Sequence, residues 1–175
     1  MKIRILTVAV ALIFTACGGD SSPSSPTSPT SPTPPSSSDT TRWIVTHRFA
    51  SVEGPDNCWV RQQRASLTGV VFSDMPMTIT RSNGSIAIES EWFQTYRGTY
   101  SGNQFSASGT RPLEGGGRPC QDGTLFQQGP GVSNLSGSFS VDDQQLTANE
   151  VNSYVIISTG EPVSYTWAWQ ATRRN

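Results

Sequence analysis

From Thr41 onward the chain alternates between apolar and polar positions. In the stretch RWIVTHRFA, Trp43, Val45, His47 and Phe49 share one parity, while Ile44, Thr46 and Arg48 share the other. A period of two is the pattern of a strand with one buried face and one wet face. MTITRSNGSIAIESEW predicts two short strands around Asn83-Gly84, because both residues accept the left-handed backbone of a two-residue hairpin. GTYSGNQFSASG predicts a second hairpin turning near Ser101-Gly102-Asn103, and LSGSFSVDDQQLTANEV a third turning near Asp142-Asp143. The last strand, VSYTWAWQAT, places Val163, Tyr165, Trp167, Trp169 and Ala171 on one face. No stretch combines sustained helical periodicity with caps, so no helix is expected. PLEGGGRPCQDG reads as a loop, ending where Cys120 enters a strand.

Two of the hairpins are alike. YRGTYSGNQFSASG and LSGSFSVDDQQLTANE each run through an apolar residue, Gly, an aromatic, Ser, a turn, an apolar residue and a small one. Repeated hairpins suggest an up-and-down meander, and a sheet of about eight or more short antiparallel strands removes its edges by closing. Gly98, Gly109 and Gly137, inside strand patterns, suit the bends of such a closure. Over residues 42–173 the pattern resembles the lipocalin-like (calycin) barrels. The resemblance implies an all-β fold, an antiparallel up-and-down β-barrel, with a β-sandwich of seven to nine strands as the alternative.

The start of the chain has another character. Lys2 and Arg4 precede an uncharged, mostly apolar run from Ile5 to Ala16. Twelve residues of helix span roughly 18 Å, short of the roughly 30 Å hydrocarbon core, so a cleaved signal peptide over 1–16 fits better than a membrane span. Phe14-Thr15-Ala16-Cys17 resembles the lipobox of bacterial lipoproteins, with Phe14 where Leu is usual. That resemblance implies acylation of Cys17 and a membrane partner reached through its acyl chains. Gly18, standing where an Asp would retain the product at the inner membrane, favours the outer membrane. From Ser21 to Ser38 only Ser, Pro and Thr occur, with prolines at 23, 26, 29 and 32, in step with the three-residue turn of polyproline II. Such a tract cannot bury enough apolar surface to fold, so residues 17–40 read as a disordered tether, whose eighteen residues from Ser21 to Ser38 reach at most about 56 Å. A docking ligand for a proline-reading domain is the alternative. Residues 41–175 then form one domain.

Composition narrows the function. From Cys17 onward the chain has no lysine and carries 10 Arg against 13 Asp and Glu. A net charge near −3 is no footprint for nucleic acid, and the missing lysine excludes Schiff-base chemistry and a P-loop. With Cys17 acylated, Cys58 and Cys120 remain as a pair for a disulfide. A redox or metal role is the alternative, although nothing here resembles C-x-x-C.

The chemistry offers no catalytic constellation and no cofactor motif. The single His47 lies on the core parity of β-type alternation, where a structural role is the simpler reading. Asp122-Gly123 and Asp142-Asp143 read as turns, not calcium sites. Glu89 and Glu91, on one expected strand face, read as solvated. The aromatics are the better lead. Trp43, Tyr165, Trp167 and Trp169 would line one interior if the first and last strands are neighbours, with His47 or Glu150 as polar groups for a small apolar ligand. A filled core contacting another envelope protein is the alternative. Trp59 and Trp92 are candidates for stacking on sugars if either faces solvent. The sequence therefore points to a lipid-anchored envelope protein that binds or assembles.

Overall fold

The computed structural model describes residues 38–111, 118–121 and 123–174. The expected signal peptide, Cys17, nearly all of the tether, the first six residues of PLEGGGRPCQDG and Asp122 lie outside the described residues.

Among the described residues, ten strands and one helix follow in the order β1 (Asp39–Glu53), α1 (Cys58–Leu67), β2 (Val71–Ser82), β3 (Ser85–Glu89), β4 (Tyr96–Ser101), β5 (Gln104–Arg111), β6 (Arg118–Pro119), β7 (Leu125–Phe126), β8 (Gly131–Phe139), β9 (Gln145–Val155) and β10 (Pro162–Arg174). Eight of them close into an antiparallel barrel in the order β1-β10-β9-β8-β5-β4-β3-β2, while β6 and β7 form a separate two-stranded ribbon. Each barrel strand pairs with its neighbours in sequence, and β1 pairs with β10 to shut the seam, with Trp43 opposite Arg173 and His47 opposite Trp169. The meander and the closure match the alternation in the sequence: β9 alternates exposed and buried over its full eleven residues. β1 begins at Asp39, two residues before the expected start, where Asp39 and Thr40 pair with Arg81 and Thr80.

The three expected hairpins all form, and all turn at the same end of the barrel. Asn83, Gly84, Gly102 and Asp143 take the left-handed backbone that these turns require, at φ 48, 77, 58 and 55°. β1 starts and β10 finishes at this end. Below it lies an apolar layer of Trp43, Ile79, Phe105, Phe139 and Leu146. Arg81 grips Asp143 with two hydrogen bonds of 2.9 and 2.6 Å, lies over the Phe139 ring at 4.8 Å, and shares Asp143 with Arg173. The four longer connections, β1 to β2, β3 to β4, β5 to β8 and β9 to β10, all fall at the opposite end.

Close strand approach depends on Gly98. It pairs with Ala107, and a Cβ there would stand 2.0 Å from the Ser106 carbonyl oxygen and 2.5 Å from the Ala107 Cα. The obstacle is backbone, so β4 and β5 would have to separate. Gly98→Ala should therefore lose about 1–3 kcal/mol of stability by overpacking, read as a lower urea midpoint. An unchanged midpoint would show that the pair is not tightly closed.

The helix is a correction to the all-strand expectation. α1 buries only Trp59 and Val60, two adjacent residues, so its apolar positions never recur at the three- and four-residue spacing that reveals a helix. Its start is set by Asn57, whose side chain accepts from the Val60 N–H at 2.9 Å. Its end is set by Thr68, whose hydroxyl donates to the Arg64 carbonyl at 2.6 Å, and by Gly69 at φ 80°. Trp59 is 3% exposed and stacks on Phe126 at 6.4 Å, so it is no surface platform for a sugar. Cys58 opens the helix and stands at disulfide distance from Cys120, with Cα atoms 6.1 Å apart.

Candidate functional site

At the long-connection end, one acidic side chain organises the barrel interior. Glu150 projects inward from β9, in register with Leu135 on β8 and Trp167 on β10, and is 2% exposed. A carboxylate so deep in an apolar barrel would be costly without partners. It has them on both oxygens. Oε1 accepts from the Tyr96 hydroxyl at 2.5 Å and from Gln94 Nε2 at 3.1 Å. Oε2 accepts from Trp169 Nε1 at 3.0 Å and lies 2.9 Å from His47 Nε2. His47 Nε2 lies within ion-pair distance of this oxygen without forming a hydrogen bond to it. Gln94 also donates to the Tyr96 hydroxyl, tying the donors to one another.

Burial raises the proton affinity of the Glu150 carboxyl, but His47, Tyr96 and Trp169 together outweigh it and hold the group below its ordinary range. The same burial, reinforced by the negative charge of Glu150, pushes the Tyr96 phenol far up, so Tyr96 remains a neutral donor. This is a carboxylate kept charged inside a barrel, with a hydrogen-bond donor on each oxygen.

Aromatic rings surround the cluster. The His47 ring lies 4.4 Å from Trp167 and 5.1 Å from Trp169, and Phe93 packs on Trp169 at 4.7 Å. Beyond them opens a cavity of about 260 Å³. Its polar lining is His47, Glu150, Gln94 and Arg111, and its apolar lining is Phe72, Met75, Trp92, Phe93 and Trp167. Arg111 ends β5 and is held by its neighbours, Tyr154 among them, through a 2.9 Å hydrogen bond from Nη1 to the hydroxyl. Larger depressions, up to about 480 Å³ around Thr40 and Arg173, lie on the outer wall and are shallower, without a comparable polar cluster. Among the described residues no three His, Cys, Asp or Glu side chains gather closely enough to hold a metal ion.

Of the residues singled out from sequence, His47, Glu150 and Trp167 line the cavity, and Trp169 supports it from beneath by bonding Glu150. Trp43 and Tyr165 do not take part. Trp43 sits at the hairpin end, donating to the Thr41 hydroxyl at 2.8 Å and packing on Phe139. Tyr165 packs on Trp59 and Tyr154, under α1. Trp92 is 67% exposed, as a surface role requires, but it stands at the cavity mouth. Glu89 and Glu91 do not share a strand face, because β3 stops at Glu89, where that side chain pairs with Arg97 at 3.4 Å.

Phe72, Met75, Phe93, Gln94 and Arg111 were not foreseen. Phe72 and Met75 differ by three positions, so strict alternation would put them on opposite faces. Asp74 at φ 59° inserts a bulge, with the β1–β2 register shifting between Val45 and His47, and both side chains reach the cavity. Phe93 and Gln94 lie in a connection, where no periodicity exists to read.

The chain matches no family model, no curated protein and no solved structure.

Proposed function

We propose that this chain is a lipid-anchored binding protein of the bacterial envelope, attached through acyl chains on Cys17, with the outer membrane favoured, and holding a small apolar molecule in the barrel. The lipobox-like Phe14–Cys17 and the Ser/Pro/Thr tract support the anchor and the tether. One observation carries the binding role: the cavity at the long-connection end joins five apolar side chains to a preorganised polar cluster. Sites of this composition bind small molecules, because the apolar walls supply burial and the few polar groups supply orientation. The cavity is smaller than the roughly 300–1,000 Å³ of drug-sized sites, which limits the occupant to one or two rings.

The test uses the full chain purified from the membranes of cells that make it. An organic extract examined by mass spectrometry should contain a co-purifying small molecule. Trp92→Ser, changing a side chain that is mostly in solvent, should deplete that molecule while leaving the fold intact. Cys17→Ser should release the protein from the membrane fraction. An extract identical to that of Trp92→Ser would remove the binding role, and unchanged membrane association of Cys17→Ser would remove the anchor.

A second reading rests on the outer wall. Val132 and Val151 lie near each other across β8 and β9, and Val155 continues the row, all substantially exposed. This patch would suit contact with another envelope protein.

A further inference from the structure

The outer wall of the barrel divides by charge. β1 to β4 expose Arg42, Arg48, Asp74, Glu89 and Arg97. The charged residues of β5, β8, β9 and β10 are Arg111, Glu150 and Arg173, which share the inward parity, and Arg174 at the very end of β10. From Gln104 to Thr172, therefore, the outward positions of these four neighbouring strands carry no charge. Charged side chains ordinarily make up about a quarter to a third of a soluble surface. A face without them points to a partner that offers none.

What this face presents instead is arranged in register. Gln104, Ser138, Thr147 and Gln170 stand opposite one another and form one row across β5, β8, β9 and β10. Two residues along each strand, Ser106, Ser136, Asn149 and Ala168 form a second row. Adjacent strands lie about 4.8 Å apart, so the first row sets out a hydroxyl or an amide at that interval over about 14 Å. A depression of about 430 Å³ lies over both rows, around Gly137. It is shallow, which suits a chain lying across the strands and not a molecule enclosed whole.

Side-chain hydroxyls and amides both donate and accept, as the hydroxyls of a sugar do. The repeat of the row is close to the length of one sugar ring in a polymer. Protein partners fit less well. The cores of protein interfaces are apolar and poor in serine, and a peptide held by its backbone needs a free sheet edge, which a closed barrel lacks.

We propose that this face binds an uncharged polysaccharide, laid across β5, β8, β9 and β10 and hydrogen-bonded to both rows. The site is separate from the cavity and does not rest on the role proposed for it.

Affinity electrophoresis of the detergent-purified full chain tests this. Native gels are cast with dextran, laminarin, galactomannan or polygalacturonate, and each is compared with a polymer-free gel. At least one of the three neutral polymers should retard the chain, and more than the anionic polygalacturonate does. Thr147→Val, which removes one exposed hydroxyl, should weaken that retention about two- to tenfold, the scale of one hydrogen bond. Asn149→Asp, which keeps the shape but brings a charge onto the face, should weaken it at least as much. Thr99→Val, on the outer face of β4, should leave it unchanged. Thr147 and Asn149 are both exposed, so neither variant should move the urea midpoint, and lost binding is thereby separated from lost folding. Retention by none of the neutral polymers, or strongest retention by polygalacturonate, overturns the assignment. So does neutral retention that survives both wall variants. Self-association that Asn149→Asp abolishes, without any retention, gives the face to a second copy of the chain instead.

Discussion

Replacing Glu150 by alanine should cost the fold about 3–5 kcal/mol, the usual scale for breaking a buried charged cluster from one side. The loss has an identifiable source. Tyr96, Trp169, Gln94 and His47 all point polar atoms at this carboxylate, from β4, β10, the β3–β4 connection and β1. Removing it strands several donors in the interior at once, and each stranded donor forfeits its hydration without recompense. Glu150→Gln should cost less, because one oxygen survives for Tyr96, but its amide then turns N–H groups toward Trp169 or His47. Urea unfolding at neutral pH measures both variants. A loss below about 1 kcal/mol for alanine would mean that water replaces the carboxylate.

The same residue sets an acid limit. The pKa of Glu150 in the folded chain is depressed below the ordinary glutamate value of 4.5. Between the depressed value and 4.5 the unfolded chain binds more protons, so stability rises with pH in that window. The contribution is complete above the unfolded value and is lost as pH falls through the folded one. Glu150→Gln should therefore show a flatter stability profile in the acid range than the unaltered chain.

The barrel was legible because its signals are local. Alternation in β1, β9 and β10, and left-handed turns at Asn83-Gly84, Gly102 and Asp143, need no knowledge of the rest of the chain. Closure was less direct, but it explains why Trp167 and His47, more than a hundred residues apart, share one wall. The site was half legible. His47, Glu150 and Trp167 sit on regular strands, where parity foretells direction. Phe72, Phe93, Gln94 and Arg111 reach the cavity through a bulge, a connection and a strand end, places where side-chain direction is set by tertiary packing. The helix was hidden for the related reason that its burial is one pair of residues, Trp59 and Val60, plus a cap. Parity also overreached. Trp43 and Tyr165 share the inward face with Trp167, but a barrel has depth as well as an inside, and they sit at other levels of it.

Removing the link between Cys58 and Cys120 should have the second large effect. The two cysteines are 62 residues apart in sequence, a span that contains β2 to β5, half of the barrel. Closing a loop of that length restricts the unfolded chain, and in the chain-entropy account the bridge stabilises the fold by roughly 4 kcal/mol. It also holds α1 to the segment bearing Phe126, where Trp59 packs over Tyr165. The double variant Cys58→Ser, Cys120→Ser should therefore unfold at a markedly lower urea concentration. Before global unfolding, amide exchange should accelerate first in α1 and β7, while β9 around Glu150 keeps its protection. Thiol titration of the unaltered protein should find neither cysteine free; two free thiols, or equal midpoints with and without reductant, would defeat the prediction. The dependence also bears on where the chain operates. A small barrel with a buried carboxylate, leaning on a bridge of this size, keeps its full stability only where disulfides persist, outside the reducing cytosol. A reductant-sensitive fold is thus consistent with the export proposed above, and a reductant-indifferent one would weaken the proposal of an envelope location along with the bridge.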